Sequence, residues 1–563
     1  MGMSIGKGNH FDAIVVGTGI TGGWAAKELC ERGLETLVLE RGRNVRHVDD
    51  YPTAQKAPWE LPYGDELTLE DKRRMPVQSR VGWAVKQSTK HWFVDDTEHP
   101  YIEEKPFDWI RGYQVGGRSL TWGRACYRWS DLDFEANAKD GIGVDWPIRY
   151  RDIAPWYDHV EAFIGISGQA EGLAHWPDGN FLPPMQLNCL ELSLKERWRT
   201  RYPDRTLTIG RAANLTRPHQ GRGQCVNRDL CIRGCPHGAY FSSNSSTLPA
   251  AAKTGRMTLV PDSIVTSLIW DEQAGKATGV TVIDARTKET REYFARVIFL
   301  NASTLGTTSI LLDSTSRRFP DGFGNDSGEL GRNLMDHPSG GAFGLSEEFG
   351  DRCYSGRRPN GFCIPRFRNV TEQRKDYVRG FYLAGFASRA GFWGPVHDVP
   401  RMGRELKASL SKPGPWYLRM WGFGECLPYR ENRVTLNRER RDAWGLPLLS
   451  ITCEYRENEA RMTEDLKASA GEMLEAGGLK YVETGAGSTP GSAIHEMGTA
   501  RMGRDPKTSV LNAHNQVHAA RNVFVTDGAC MTSSACQNPS FTYMALTARA
   551  AAHAVDELKR GQL

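Results

Sequence analysis

Two short stretches carry residues whose types and spacing point to chemistry. In the first, Gly17, Gly19 and Gly22 stand in G-x-G-x-x-G spacing directly after the apolar run Ile14-Val15-Val16. A helical pattern opens at Ile20 and Thr21, and a second apolar run, Leu37-Val38-Leu39, ends in Glu40 followed by Arg41. Strand, glycine turn, helix, strand and acid in that order form the dinucleotide-binding fingerprint. Gly17 allows the tight turn, Gly19 lets the backbone approach a pyrophosphate, and Gly22 lets the helix pack close to the strand. The helix N-terminus offers N–H groups and a positive dipole end to phosphate. Glu40 is placed to accept from a ribose hydroxyl. The second stretch holds Cys225, Cys231 and Cys235 within eleven residues, the last followed by Pro236. Such spacing is closer to iron–sulfur ligation than to a disulfide framework. Three thiolates suit a 3Fe–4S cluster, zinc would need a fourth ligand such as His237, and purely structural thiols are the third reading.

These residues need a scaffold. At 563 residues the chain exceeds one simple core, so more than one domain is expected. With 39% hydrophobic and 25% charged residues it has an ordinary globular composition. A net charge of +4 without a basic block argues against nucleic acid as a partner. No run of 18 apolar residues is present, so no membrane-spanning segment is expected, and residues 1–10 show no signal-peptide pattern. The other nine cysteines (Cys30, Cys126, Cys189, Cys353, Cys363, Cys426, Cys453, Cys530, Cys536) are scattered and read as small buried hydrophobes.

After a polar excursion over 45–105, the block Val115-Gly116-Gly117-Arg118-Ser119-Leu120-Thr121-Trp122-Gly123 suggests close backbone approach to a ligand. Residues 146–168 read as a loop entering an amphipathic helix, with Pro155 near its first turn. Residues 257–301 read as a β-meander that ends in a second strand-to-helix junction at Ala302. Residues 340–455 read as a separate antiparallel sheet, and helices are expected over 456–476 and 541–560.

The combination of the N-terminal fingerprint, the Val115–Gly123 block, Gly331-Arg-Asn-Leu-Met-Asp-His337-Pro338, Ser492-Ala-Ile-His495-Glu-Met-Gly498, Asn522-Val-Phe-Val-Thr-Asp527-Gly528 and Cys536-Gln-Asn538-Pro539-Ser-Phe-Thr542 strongly resembles the glucose–methanol–choline (GMC) flavin oxidoreductases. The resemblance runs from about residue 11 to 555. It implies an α/β fold: a Rossmann-like FAD-binding domain assembled from residues 1–165, 225–339 and 485–563, plus an antiparallel-sheet substrate domain over 340–484, with 166–224 as a linking excursion. It implies FAD, contacted by Gly17, Gly19, Ile20, Thr21, Gly22, Glu40, Arg41, Gly117, Ser119, Thr121, Trp122, Gly123, Val265, Ala302, Asp527, Gly528, Pro539 and Thr542. His495 and Asn538 fall on the family's catalytic pair. A neutral imidazole can take the hydroxyl proton of an alcohol while hydride leaves its carbon, and an amide can hold that hydroxyl without competing for the proton. The expected base titrates near neutrality. His237, His337, His514, His518 and His553 lack that support and read as structural or exposed.

In the similar pyranose oxidases a histidine of the Val-Gly-Gly block is joined to the flavin. Thr121 stands there, which implies non-covalent FAD. Within the family, residues 103–124 and 144–157 most resemble bacterial glucoside 3-dehydrogenase catalytic subunits. That implies oxidation of a sugar or glycoside at C3, a small partner subunit with a twin-arginine signal, a cytochrome c acceptor and a periplasmic location; without co-export the location would be cytoplasmic. A sugar oxidase using O2, a gluconate- or sorbitol-type dehydrogenase, and a non-enzymatic electron-transfer flavoprotein are the alternatives.

Overall fold

The computed structural model describes residues 8–354, 356, 358–390 and 402–563. Its largest sheet has eight strands. At its centre His10–Val16 pairs in parallel with Thr36–Leu39 on one side and with Thr290–Leu300 on the other. Met257–Val260 and Ala520–Val525 extend the parallel run outward. Ala13–Val16, Thr36–Leu39, Val297–Leu300 and Asn522–Val525 are buried on both faces and therefore read as continuous runs of mostly apolar residues, whereas the edge strand Met257–Val260 is half-buried. Ala13, Val15, Val38, Val297, Phe299 and Phe524 pack on one side, with the helices Ile20–Glu31 and Ser540–Lys559. Ile14, Val16, Leu37, Leu39, Ile298 and Leu300 face the other side. The meander is present over Ser263–Asp271, Lys276–Asp284 and the first half of Thr290–Leu300, but Met257–Val260, expected as its first strand, pairs instead in parallel with Thr36–Leu39.

The carboxyl ends of these parallel strands lie together. Val16 runs into Gly17, Leu39 into Glu40, Leu300 into Asn301, and Val525 into Thr526 and Asp527. Open α/β sheets bind ligands at such an end.

A six-stranded sheet is built from Ser339–Ser346, Phe362–Ile364, Phe381–Arg389, Trp416–Gly424, Lys480–Thr484 and Thr208–Ile209. One face carries Leu383, Leu418 and Met420 onto Met462, Leu466, Ala470 and Met473 of the helix Glu457–Ala476. The alternate residues face a large cavity. A five-stranded sheet ties the two halves of the chain: Ile102–Glu103, Arg332–Met335, Arg433–Arg441, Pro447–Thr452 and Met497–Thr499. Residues 433–452 therefore join strands from 102–103, 332–335 and 497–499, and do not extend the sheet of 339–346.

Two local expectations need correction. Pro155 is the sixth residue of the helix Tyr150–Ile164 and so lies in its interior, beyond the first turn. Cys353 is exposed and Cys189 half-buried; the other seven scattered cysteines are buried as expected.

Candidate active site

The cavity, about 1120 Å³, runs from the carboxyl ends of the parallel strands to the inner face of the six-stranded sheet. At the strand end it is lined by Gly17, Gly19, Ile20, Thr21, Glu40, Arg41, Gly117, Ser119, Thr121, Trp122, Gly123, Val265, Ala302, Asp527, Gly528 and Pro539. These are sixteen of the expected cofactor contacts. Gly22 is not on the wall. A Cβ there would stand 1.9 Å from the carbonyl oxygen of Gly17, so its role is the close helix–strand packing expected of the third glycine. Thr542 is not on the wall either. Its hydroxyl is buried against the Tyr157 hydroxyl at 2.8 Å, which takes it out of the expected cofactor set.

The wall fits a dinucleotide. Gly17 has φ +96° and sits against Asn301, where a Cβ would meet the carbonyl oxygen at 2.4 Å. Gly19 has nothing within 4 Å of where its Cβ would stand, so the backbone there is open to a ligand. Glu40 is buried and accepts from Thr18 N at 3.1 Å, Thr18 Oγ1 at 2.5 Å and Gly42 N at 3.0 Å. Burial nonetheless raises its pKa. A carboxylate offers about four acceptor positions, so a ribose hydroxyl can still be received. Asp527 accepts from Thr307 Oγ1 at 2.5 Å and Ala529 N at 3.0 Å, and burial pushes its pKa up to about 6.

His495 and Asn538 stand where this end meets the substrate-facing sheet. Their positions follow from strand register. Arg332–Met335 and Met497–Thr499 pair antiparallel, with Met335 opposite Met497. Continuing that register by two residues brings His337 opposite His495, and the two Nδ1 atoms are 3.0 Å apart. Between them, the buried Asp336 carboxylate accepts backbone N–H bonds from Gly491 (2.7 Å), Ala493 (3.2 Å) and His495 (2.9 Å). That carboxylate holds the loop carrying His495. Burial, aided by the charge of Glu496, pushes the Asp336 pKa up to about 7 despite those bonds.

The hydrogen bonds fix the protons. His337 Nε2 lies 3.1 Å from the carbonyl oxygen of Ser534, which can only accept, so Nε2 carries the hydrogen. Burial pushes the His337 pKa down to about 4, so the ring is neutral and its Nδ1 is a lone pair. His495 must then donate from Nδ1. Its Nε2 is left with a lone pair, 3.2 Å from Asn538 Nδ2, which donates to it. Asn538 Oδ1 accepts from the Tyr382 hydroxyl at 2.5 Å. Flipping the amide would require a hydrogen on His495 Nε2 and would set two lone pairs against each other at Nδ1. The chain Ser534–His337–His495–Asn538–Tyr382 therefore has one consistent proton arrangement. Phe423 packs on His495 with ring centroids 5.2 Å apart. Burial, then the neighbouring His337 and Arg118, hold the His495 pKa well below its ordinary value. The base expected to titrate near neutrality is instead neutral into the acid range.

None of the five histidines set aside as structural lines the cavity, but His337 is part of this hydrogen-bonded chain behind the wall, a correction to its structural reading. The signal was available: His337 lies in the Gly331–Pro338 block, beside an acidic residue. Arg118 was also not singled out. It forms a two-point pair with the buried Glu496, at 3.1 and 2.8 Å, on the cavity wall next to His495.

Cys225, Cys231 and Cys235 do not assemble as expected. Among the described residues no group of three His, Cys, Asp or Glu side chains is placed to hold a metal ion. Cys225 and Cys235 pack against Leu182, Leu215 and Ala239. The Cys225 sulfur accepts the Asn227 backbone N–H at 3.4 Å. The loop does not fit an iron–sulfur cluster in this arrangement.

Comparison with known proteins agrees with this geometry. The GMC oxidoreductase N-terminal domain matches residues 11–339 and the C-terminal domain residues 428–547. The chain belongs to the GMC oxidoreductase family. It is an FAD-dependent oxidoreductase acting on CH–OH donors. Among its relatives, the 2-methyl-1,2-propanediol dehydrogenase of Mycolicibacterium austroafricanum is 27% identical, over 96% of this chain and 94% of that one. The fructose dehydrogenase large subunit of Gluconobacter japonicus is 25% identical, over 98% of each. A C-glycoside 3-oxidase of Arthrobacter globiformis is 27% identical over 53% of each chain. The solved pyridoxine 4-oxidase from Mesorbium loti shares the fold, with a TM-score of 0.58 at 17% identity, covering 96% of this chain and 98% of that one. No described helix is long and apolar enough to cross a membrane.

Proposed function

We propose that the enzyme is a dehydrogenase that oxidises a secondary hydroxyl, at C3, of a sugar or glycoside. The observation that carries the reading is the fixed lone pair on His495 Nε2, presented to the cavity between the glycine-lined end and an aromatic wall. When bound at the glycine-lined end, FAD supplies the hydride acceptor. The chain's own residues do the rest. His495 Nε2 takes the proton of the substrate hydroxyl. For this the substrate oxygen must take over the Asn538 Nδ2 donor that in the structure engages His495 Nε2 at 3.2 Å; Asn538, oriented through its carbonyl by Tyr382, then holds the hydroxyl and leaves the Nε2 lone pair free for the proton. Phe423 packs on His495 and His337 is fully buried behind it, which limits water at the pair and favours the neutral base.

The sugar assignment is supported by the names of the fructose dehydrogenase and C-glycoside 3-oxidase relatives, and C3 by the latter. Use of an acceptor other than dioxygen is supported by the dehydrogenase relatives. Cytochrome c as that acceptor, a small twin-arginine-signal subunit and periplasmic co-export belong to the same proposal. They rest on the resemblance and on the name "large subunit" of the Gluconobacter relative. No step is assigned to the cysteine loop.

Anaerobic addition of methyl glucoside, with the flavin absorption followed, tests the reaction. Bleaching together with a 3-keto product by NMR is expected. An unchanged spectrum with methyl glucoside, glucose and cellobiose would overturn the assignment.

A further inference from the structure

The inner face of the six-stranded sheet is graded, and the grading reads as a second ring-binding site. Residues directly opposite one another on antiparallel strands share a face. The rung nearest His495 is Ser339, Phe423 and Tyr382. The next rung outward is Gly341, Trp421 and Ala384, and the third is Phe343, Arg419 and Phe386. All nine line the cavity.

In the first rung the side chains are engaged: Phe423 packs on His495 and Tyr382 bonds Asn538. In the second rung a half-buried tryptophan stands between the two smallest residues of the wall. Gly341 cannot be enlarged, since a Cβ there would lie 2.2 Å from the Met420 carbonyl oxygen and 2.7 Å from Trp421 Cα. Trp421 therefore presents its ring with no bulky neighbour across either strand. In the third rung Phe386 meets Trp421 edge to face, at 5.8 Å and 72°, and the Arg419 guanidinium lies 5.8 Å from the Trp421 ring. These two contacts hold the indole from its outer side.

Two residues of antiparallel strand advance about 7 Å, close to the width of one pyranose ring. A substrate ring whose reacting carbon stands beside His495 therefore reaches Trp421 only if a second ring is attached. We propose that the rung of Trp421 is a subsite for the second ring of a two-ring glycoside, and that Arg419 donates hydrogen bonds to hydroxyls on that ring. The inference rests on the reading that the reacting ring sits at His495, and it narrows the substrate class from sugars in general to glycosides with a ring-bearing aglycone. Either a sugar or an aryl ring has a flat apolar face that an indole can cover.

The test compares kcat/KM for methyl glucoside, phenyl glucoside and cellobiose on the FAD-loaded enzyme. Wild type is expected to favour both two-ring substrates over methyl glucoside. Trp421→Ala should lower each two-ring to one-ring ratio about tenfold, and Trp421→Phe should restore most of it. Ala384→Leu, which fills the gap beside the indole without removing it, should lower the ratios in the same way and keeps the test open if Trp421→Ala fails to fold. Arg419→Gln should lower the cellobiose ratio more than the phenyl glucoside ratio. Methyl glucoside turnover with ratios that no variant changes overturns the subsite and leaves the proposed reaction standing. No turnover of any of the three overturns both.

Discussion

Replacing His337 tests the proton arrangement at its least obvious point. In the structure the imidazole of His337 receives the Nδ1 hydrogen of His495 and thereby leaves the lone pair on Nε2, where the substrate hydroxyl is expected. His337→Leu removes that acceptor inside a buried site. A buried donor left without a partner costs about 1–3 kcal/mol, which corresponds to roughly a 5- to 150-fold change in the balance between the two His495 tautomers at 1.4 kcal/mol per tenfold. Only the tautomer with a free Nε2 accepts the proton. Flavin reduction by a sugar should therefore slow about 10- to 100-fold. That is less than the roughly 10²–10⁴-fold expected when His495→Ala removes the base altogether. Anaerobic stopped-flow measurement of flavin bleaching, with FAD content checked beforehand, reads the rate. Two comparisons separate orientation of His495 from general damage. His337→Gln supplies an amide oxygen in place of Nδ1 and should recover most of the rate. In a His495→Ala background, His337→Leu should cost nothing further, because His337 acts through His495 and neighbouring effects of that kind do not add. A His337→Leu enzyme that bleaches at the wild-type rate, or a double variant whose losses multiply, would refute the reasoning.

Other outcomes follow from the same geometry. Because burial lowers the His495 pKa well below its ordinary value, the base stays neutral as pH falls through 6.5. The rate of flavin reduction should be level across that range and decline only in stronger acid; stopped-flow traces that halve near pH 6.5 would show a solvated base. Gly19→Leu adds a side chain where the backbone opens on the cavity and no atom stands within 4 Å, so the protein should fold with an unchanged far-UV spectrum but retain little FAD. With Thr121 on the cavity wall and no histidine at that position, acid precipitation should release yellow FAD into the supernatant, and flavin retained in the pellet would contradict non-covalent binding. Asp336→Ala strips three backbone N–H groups of their acceptor; at about 1–3 kcal/mol for a buried donor left without a partner, a lower melting temperature is expected together with slower flavin reduction.

The readable and unreadable parts of this chain divide by the range of the forces involved. The βαβ fingerprint is local: apolar strand, glycine turn, helix and acid lie within thirty residues, and each step is dictated by sterics or hydrogen bonding among near neighbours. Gly17, Gly19 and Glu40 could therefore be placed from sequence, as could the helices Glu457–Ala476 and Ser540–Lys559 from their periodicity. His337 could not be placed the same way, because its partner is 158 residues distant and the link is a strand register, Met335 opposite Met497. Register between remote strands is set by the packing of the whole sheet, which no local pattern reports. Thr542 failed for the opposite reason: the helix was correctly expected, but which face of its first turn meets the cavity depends on Tyr157, a neighbour from another element. The cysteine loop shows the same limit in its chemistry. Spacing alone brings three thiols near one another, whereas a metal needs them converging on one point, and among the described residues no such group is placed to hold one. The histidine pair is the instructive case for function. A base needs more than the right side chain; it needs a defined tautomer, and in this protein that is supplied by a backbone carbonyl at Ser534 acting through a second imidazole.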